Sequence, residues 1–142
     1  MNQIISSNET LLDIAKQHLK VAKAIEMSYP NDDGMINHIG YHIQQSIELS
    51  LKHILEIHNI KYPKTHEISD LIALVPACYQ GCLSEIDQNS REITHLESDT
   101  RYLKSFYVSH ELVKTATKLA YKLIEDVENT FPELFATQEE IE

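Results

Sequence analysis

A chain of 142 residues, 42% of them apolar and 24% charged, is one domain of ordinary size, able to bury a core without disulfides or structural metals. Its two cysteines, Cys78 and Cys82, are spaced C-x3-C; that is neither a zinc knuckle nor a redox C-x-x-C pair, and implies free thiols in a reducing compartment. The net charge of −10 argues against indiscriminate nucleic-acid binding, but seven of the 22 acids crowd into Glu125–Glu142, where no Lys or Arg occurs, which leaves 15 acids against 12 bases, about −3, for residues 1–124.

The N-terminus MNQIISSNETLL has no basic flank before an apolar run, and no later stretch reaches membrane-spanning length, so a soluble cytoplasmic protein is expected. Helical periodicity dominates from there on. Ser6-x-x-Glu9 resembles a capping box, predicting a first helix from Ser6 or Ser7 to about Met27 with Leu12, Ala15, Leu19, Ala22 and Ile25 or Glu26 inward. YPNDDG, residues 29–34, breaks it. The second helix is the longest, about Met35 to His58, with Ile36, Ile39, Ile43, Ile47, Leu51, Ile54 and Leu55 as its stripe and Leu49 and Ile57 widening it. Asn59-Ile60 reads as a left-handed cap that stops it.

Thr65 suits the N-cap of a short helix over His66–Val75, closed by Pro76, and residues 77–84 are ambiguous. A further helix is expected from Leu83 to Glu97, carrying Ile86, Ile93 and Leu96. SDTRYLKSFYVS, residues 98–109, reads as an aromatic-rich structured loop, and Ser109 caps a last helix from His110 to about Thr130 with Val113, Ala116, Ala120, Leu123, Ile124 and Val127 inward. The expected fold is therefore all-α, an up-and-down antiparallel bundle of four main helices plus one short one over residues 1–130, followed by an acidic tail, 131–142. The apolar width of the second helix exceeds what one small bundle needs, and a homodimer covers the excess.

His38 and His42 lie at i and i+4 and face one side of the second helix, the spacing of a metal grip. HIGYH is not H-E-x-x-H, however, and no third ligand is assured, so packing histidines are the simpler reading and neither metal nor cofactor is expected. No G-x-S-x-G, P-loop or glycine-rich phosphate cradle occurs. Lys16, Lys20 and Lys23 share one side of the first helix, and Lys114, Lys118 and Lys122 one side of the last. If those helices are neighbours, the six form a strip that attracts phosphate; the plainer alternative is a solvated face with pairs such as Asp13–Lys16 and Lys122–Asp126. The stronger polar signal is Gln45, Glu48 and Lys52 on the second helix, with Thr65-His66 and Arg101-Tyr102. A buried Glu48 needs a strong partner, and the planar fork of Arg101 is the natural one.

The run HIGYHIQQSIELSLKHILEIHNIKYPKTHEISDLI, then DTRYLKSF and VKTATKLAYKLIEDV, resembles the HEPN domain family. The likeness is carried by Gln44, Gln45, Glu48, Lys52, Tyr62, Pro63, Thr65, His66, Arg101 and Tyr102, with His42 at the start of the same run, and covers nearly the whole chain up to the tail. The resemblance implies a helical bundle, commonly dimeric, in proteins that bind nucleotides or RNA and often accompany a minimal nucleotidyltransferase, as in prokaryotic two-component toxin-antitoxin systems. Many members are ribonucleases with an R-x4-6-H motif at a dimer interface. Here Arg91 and His95 are separated by three residues and Arg101 and His110 by eight, so neither pair fits. The expectation is a non-catalytic protein that binds a nucleotide, RNA or a nucleotidyltransferase partner. Its alternatives are a divergent metal-independent ribonuclease acting as a dimer and a structural dimerisation module.

Overall fold

The computed structural model describes residues 9–79, 81–97 and 108–130, and all regular structure among them is helical. The all-α expectation holds, but among the described residues three long helices and three short ones stand where four main helices and one short one were expected. Helix α1 spans Leu11–Ser28 and α2 spans Ile36–Ile57. Three short helices follow, α3 (Ile68–Ile72), α4 (Leu83–Gln88) and α5 (Ser90–His95), with a 3-10 turn at Ala77–Tyr79 between the first two. Helix α6 spans His110–Thr130.

Contacts at the two ends fix the directions. Lys16 and Asp13 of α1 lie close enough to His53 of α2 to act on its ring, while the turn at 29–35 joins their other ends, so α1 and α2 are antiparallel. The α6 start meets that turn through His110 and Asp33, and its end meets Lys16 through Glu128, so α6 runs in the direction of α2. The short helices carry the chain back between them, from Ile68 to Leu96, which packs beside Gly40 near the start of α2.

The stripe residues Ile43, Ile47, Leu51, Ile54 and Leu55 of α2 are fully buried, as are Ala116 and Val127 of α6, and Leu12, Ala15, Leu19 and Ala22 of α1 are buried against them. Each buried leucine or isoleucine contributes about 1.5–3 kcal/mol relative to exposure, which is why α2 holds the centre. The Asn59 expectation is met: its φ is 57°, Asn59 N–H donates to the Glu56 carbonyl, and Ile60 N–H donates to that of Leu55 at 2.8 Å, closing a Schellman motif. Ser109 also behaves as expected, its Oγ accepting from Leu112 N–H at 3.0 Å.

Three boundaries are corrected. Helix α1 begins at Leu11, because Thr10 and Asp13 form the capping box there, each side chain accepting from the other's backbone N–H at 3.1 Å; Ser6 and Ser7 lie outside the described residues. The third helix starts at Ile68, since Thr65 Oγ1 accepts from Glu67 N–H and holds that segment in a turn. The expected 83–97 helix breaks at Asn89, whose backbone leaves the helical region at φ −107° and ψ 12° and whose side-chain amide joins its backbone N–H in donating to the Glu85 carbonyl. The 98–107 loop and the 131–142 tail lie outside the described residues.

At Gly40 three elements converge: a Cβ there stands 3.2 Å from Leu96 Cδ2 and 3.5 Å from Val113 Cγ2. Gly40→Val is expected to overpack this junction and cost about 1–3 kcal/mol, read as a lower urea midpoint at unchanged slope. An unshifted midpoint would show the junction to be loosely filled.

Candidate functional site

The polar residues of α2 gather around Glu48, which is only 2% exposed. Lys52, one turn on, donates to Oε2 at 2.8 Å, and Gln44, one turn back, donates to Oε1 at 2.8 Å. Gln45 extends the chain by donating to Gln44 Oε1. The Y-P-x-T-H segment closes over the group: His66 Nδ1 lies 3.1 Å from Oε2 and 3.3 Å from Oε1, and Lys52 Nζ stands 5.9 Å from the centre of the Tyr62 ring. Burial pushes the Glu48 carboxyl upward, but the hydrogen bonds from Lys52 and Gln44, the Lys52 charge and His66 outweigh it and hold the group below the usual carboxylate range. The carboxylate also orients the imidazole, whose Nδ1 side faces Glu48 while the side chain is 65% exposed. Tyr62 is itself fixed, its hydroxyl donating to Glu56, and burial with that bond raises its pKa to about 12.

His42 takes part in a different contact. Its Nδ1 lies 2.9 Å from Nδ1 of His18 on α1, with Tyr41 edge-on to both rings, so His42 serves helix packing, whereas His38 is exposed. Among the described residues no group of three or more His, Cys, Asp or Glu is placed to hold a metal ion. Burial lowers the pKa of His18, and burial with the charges of His18 and His38 lowers that of His42; burial also lowers that of His53. With folded values below the ordinary 6.5, the unfolded chain binds more protons in acid, so this stability is present above about pH 6.5 and is lost as pH falls through the folded values. Melting temperature is expected to fall between pH 7 and 5, and His42→Phe to flatten the decline; an unaltered slope in the variant would assign the titration elsewhere.

A cleft of about 380 Å³ opens between α1, α6 and the start of α2. Ile36, Ile39 and Ile43 form its apolar wall, Lys23, Lys114 and Lys118 supply cations from facing helices, Glu26, Asp32 and Glu111 add carboxylates to the lining, and Tyr29 and Tyr121 supply ring faces. Among the described residues none of these three lysines makes an ion pair. His110 lines the same cleft, its Nε2 2.6 Å from Asp33 Oδ1. The first and last long helices are thus neighbours, as the lysine strip requires. Lys16 pairs with Glu128 rather than with Asp13, which is occupied in the cap, and Lys122 lies near Cys82 and does not line the cleft.

A family model for the HEPN domain matches residues 8–130. The chain belongs to the HEPN family. No curated protein and no solved structure matches it. The match takes in every described residue, the Glu48 cluster, the paired histidines and the cleft included.

Of the residues that carried the resemblance in the sequence, the fold joins Gln44, Gln45, Glu48, Lys52, Tyr62 and His66 in one network, with Thr65 holding the turn before His66. Arg101 and Tyr102 lie outside the described residues, and the expected Arg101–Glu48 pair with them; among the described residues Lys52 pairs with Glu48. Arg91 is exposed on α5 and His95 is half-buried one turn later, while His110 belongs to the cleft. Tyr29 and Tyr121 had no signal of their own in the sequence, since each stands alone among polar residues of a turn or helix face. Cys82 is buried with its thiol against the Leu119 carbonyl, and burial raises its pKa to about 11, whereas Cys78 is exposed. Among the described residues no helix is long and apolar enough to cross a membrane.

Proposed function

We propose that this HEPN protein is a non-catalytic binding module for a phosphate-bearing ligand, a nucleotide or an RNA segment, held in the cleft between α1 and α6. In this reading it acts as a homodimer beside a nucleotidyltransferase partner in a two-component system. The observation that supports the ligand class is the convergence of Lys23, Lys114 and Lys118 on a cleft that also presents Tyr29 and Tyr121. Ammonium groups attract phosphate oxygens without dictating sequence, and aromatic faces accept a base by stacking. The cleft volume falls in the range of small-molecule pockets. Glu48 and its partners serve the fold in this scheme, securing the 62–68 turn to the central helix.

The test is a fluorescence titration with a labelled nucleoside triphosphate and with a short single-stranded RNA across a range of salt. Three lysine contacts are expected to give a slope of log K against log salt of about −2 for the RNA. Binding indifferent to salt, or absent for both ligands, would overturn the reading.

A further inference from the structure

Beside the cleft, α1 and α6 leave a second recess, a groove of about 430 Å³. Its floor is apolar, made by Leu19, Ala24, Met27, Tyr121 and Ile124, and Lys16, Lys20 and Lys23 stand along its α1 edge. Met27 and Tyr121 are 72% and 46% exposed, contiguous apolar surface of the kind that marks an interaction site. Among the described residues Lys16 pairs with Glu128, and neither Lys20 nor Lys23 makes an ion pair. An apolar floor with a basic edge fits a segment that is apolar on one side and acidic on the other.

The sequence contains such a segment directly after α6. Residues 131–142, FPELFATQEEIE, combine Phe131, Leu134, Phe135 and Ile141 with four glutamates and no base. The Glu128 contact with Lys16 sets the last turn of α6 at the Lys16 end of the groove, where the described helix ends at Thr130. From Lys16 to Met27 the helix rises about 16 Å, whereas twelve extended residues reach about 40 Å. A tethered segment also acts at an effective concentration of about millimolar, so modest contacts suffice.

We propose that residues 131–142 dock in the groove of their own chain, with glutamates facing Lys20 and Lys23 and apolar side chains on the Met27–Tyr121 floor. Groove and cleft share Leu19, Lys23 and Tyr121. The docked segment therefore draws on a lysine that the phosphate ligand needs, and the two compete.

The experiment is zero-length carbodiimide cross-linking of the full chain at micromolar concentration, using an equal mixture of unlabelled and 15N-labelled protein, with mass-spectrometric mapping. The expected result is amide links from Lys20 or Lys23 to Glu133, Glu139 or Glu140 within one isotopic species. Met27→Gln, which disturbs the floor while adding and removing no cross-linking group, is expected to reduce them at least fivefold. Links spread equally to the exposed Lys61 and Lys64, or insensitive to Met27→Gln, would overturn the docking. Mixed-isotope links would overturn the intramolecular form and assign the groove to a second copy's segment. Replacing the four tail glutamates by glutamine is expected to tighten nucleotide binding several-fold, and unchanged affinity would overturn the competition. The cross-links stand or fall whether or not the cleft binds phosphate.

Discussion

Replacing Glu48 by alanine is expected to lower the unfolding free energy by about 3–5 kcal/mol, the largest effect of any single change outside the apolar core. The carboxylate itself is buried, and its removal strands Lys52, whose side chain is only 15% exposed, together with the Gln44 amide and the His66 ring. Much of the loss is the cost of leaving those groups unpaired, not the intrinsic worth of the pair. Two further variants separate the contributions. Glu48→Gln keeps the shape and loses the charge, so an intermediate cost is expected. The double change Glu48→Leu with Lys52→Met removes both charges and is expected to recover most of the stability. Because the folded Glu48 pKa is depressed, its contribution is present above the ordinary carboxylate range and is lost as pH falls below about 4.5. Urea unfolding of the three variants at neutral and acid pH checks this, and a single-variant loss under 1 kcal/mol would show that water enters the site.

The second large effect is on binding. Reversing Lys114 and Lys118 to glutamate together is expected to weaken nucleotide binding by about 100-fold or more, since each charge-assisted hydrogen bond contributes about 1.5–3 kcal/mol. Both side chains are exposed on α6, so the melting temperature is expected to stay close to that of the unaltered chain. Lys122→Glu is the internal control. It makes half that change in charge on the same helix, but Lys122 does not line the cleft. Equal weakening by the control would reduce the effect to net charge and remove the cleft from the argument.

Period and punctuation made the long helices legible. Ile36 through Leu55 repeat at helical spacing without a break, and Asn59 followed by an apolar residue is a stop with a specific backbone meaning, so α2 was readable nearly to the residue. Helix α6 followed for the same reasons, Ser109 at its start included. The start of α1 was not, because Ser6-x-x-Glu9 and Thr10-x-x-Asp13 satisfy the same capping rule and the sequence offers no means to choose between them. Asn89 was missed since an asparagine inside a periodic run fits a helix until its backbone leaves the helical region, here at φ −107° and ψ 12°. Around Glu48 the residues were visible but their burial was not; burial depends on the 62–66 turn folding over α2, a long-range event. The lysines were likewise plain on each helix, while their convergence depended on α1 and α6 being neighbours.

The broken third leg has a kinetic meaning. Helices α3, α4 and α5 contain five, six and six residues, too few for any of them to persist in water alone. They are held by what they touch: Ile68 N–H donates to Thr94 Oγ1 at 3.0 Å, and Ile86, Ile93 and Leu96 are fully buried. Such a leg opens as one cooperative unit ahead of the α1, α2 and α6 frame, so its amides exchange with solvent through a sub-global event of lower free energy than complete unfolding. His66 sits where that unit joins the frame. The bundle is thus expected to come apart in an order, with the short helices exchanging before the long ones and Glu48→Ala, which releases His66, speeding exchange in the short helices first.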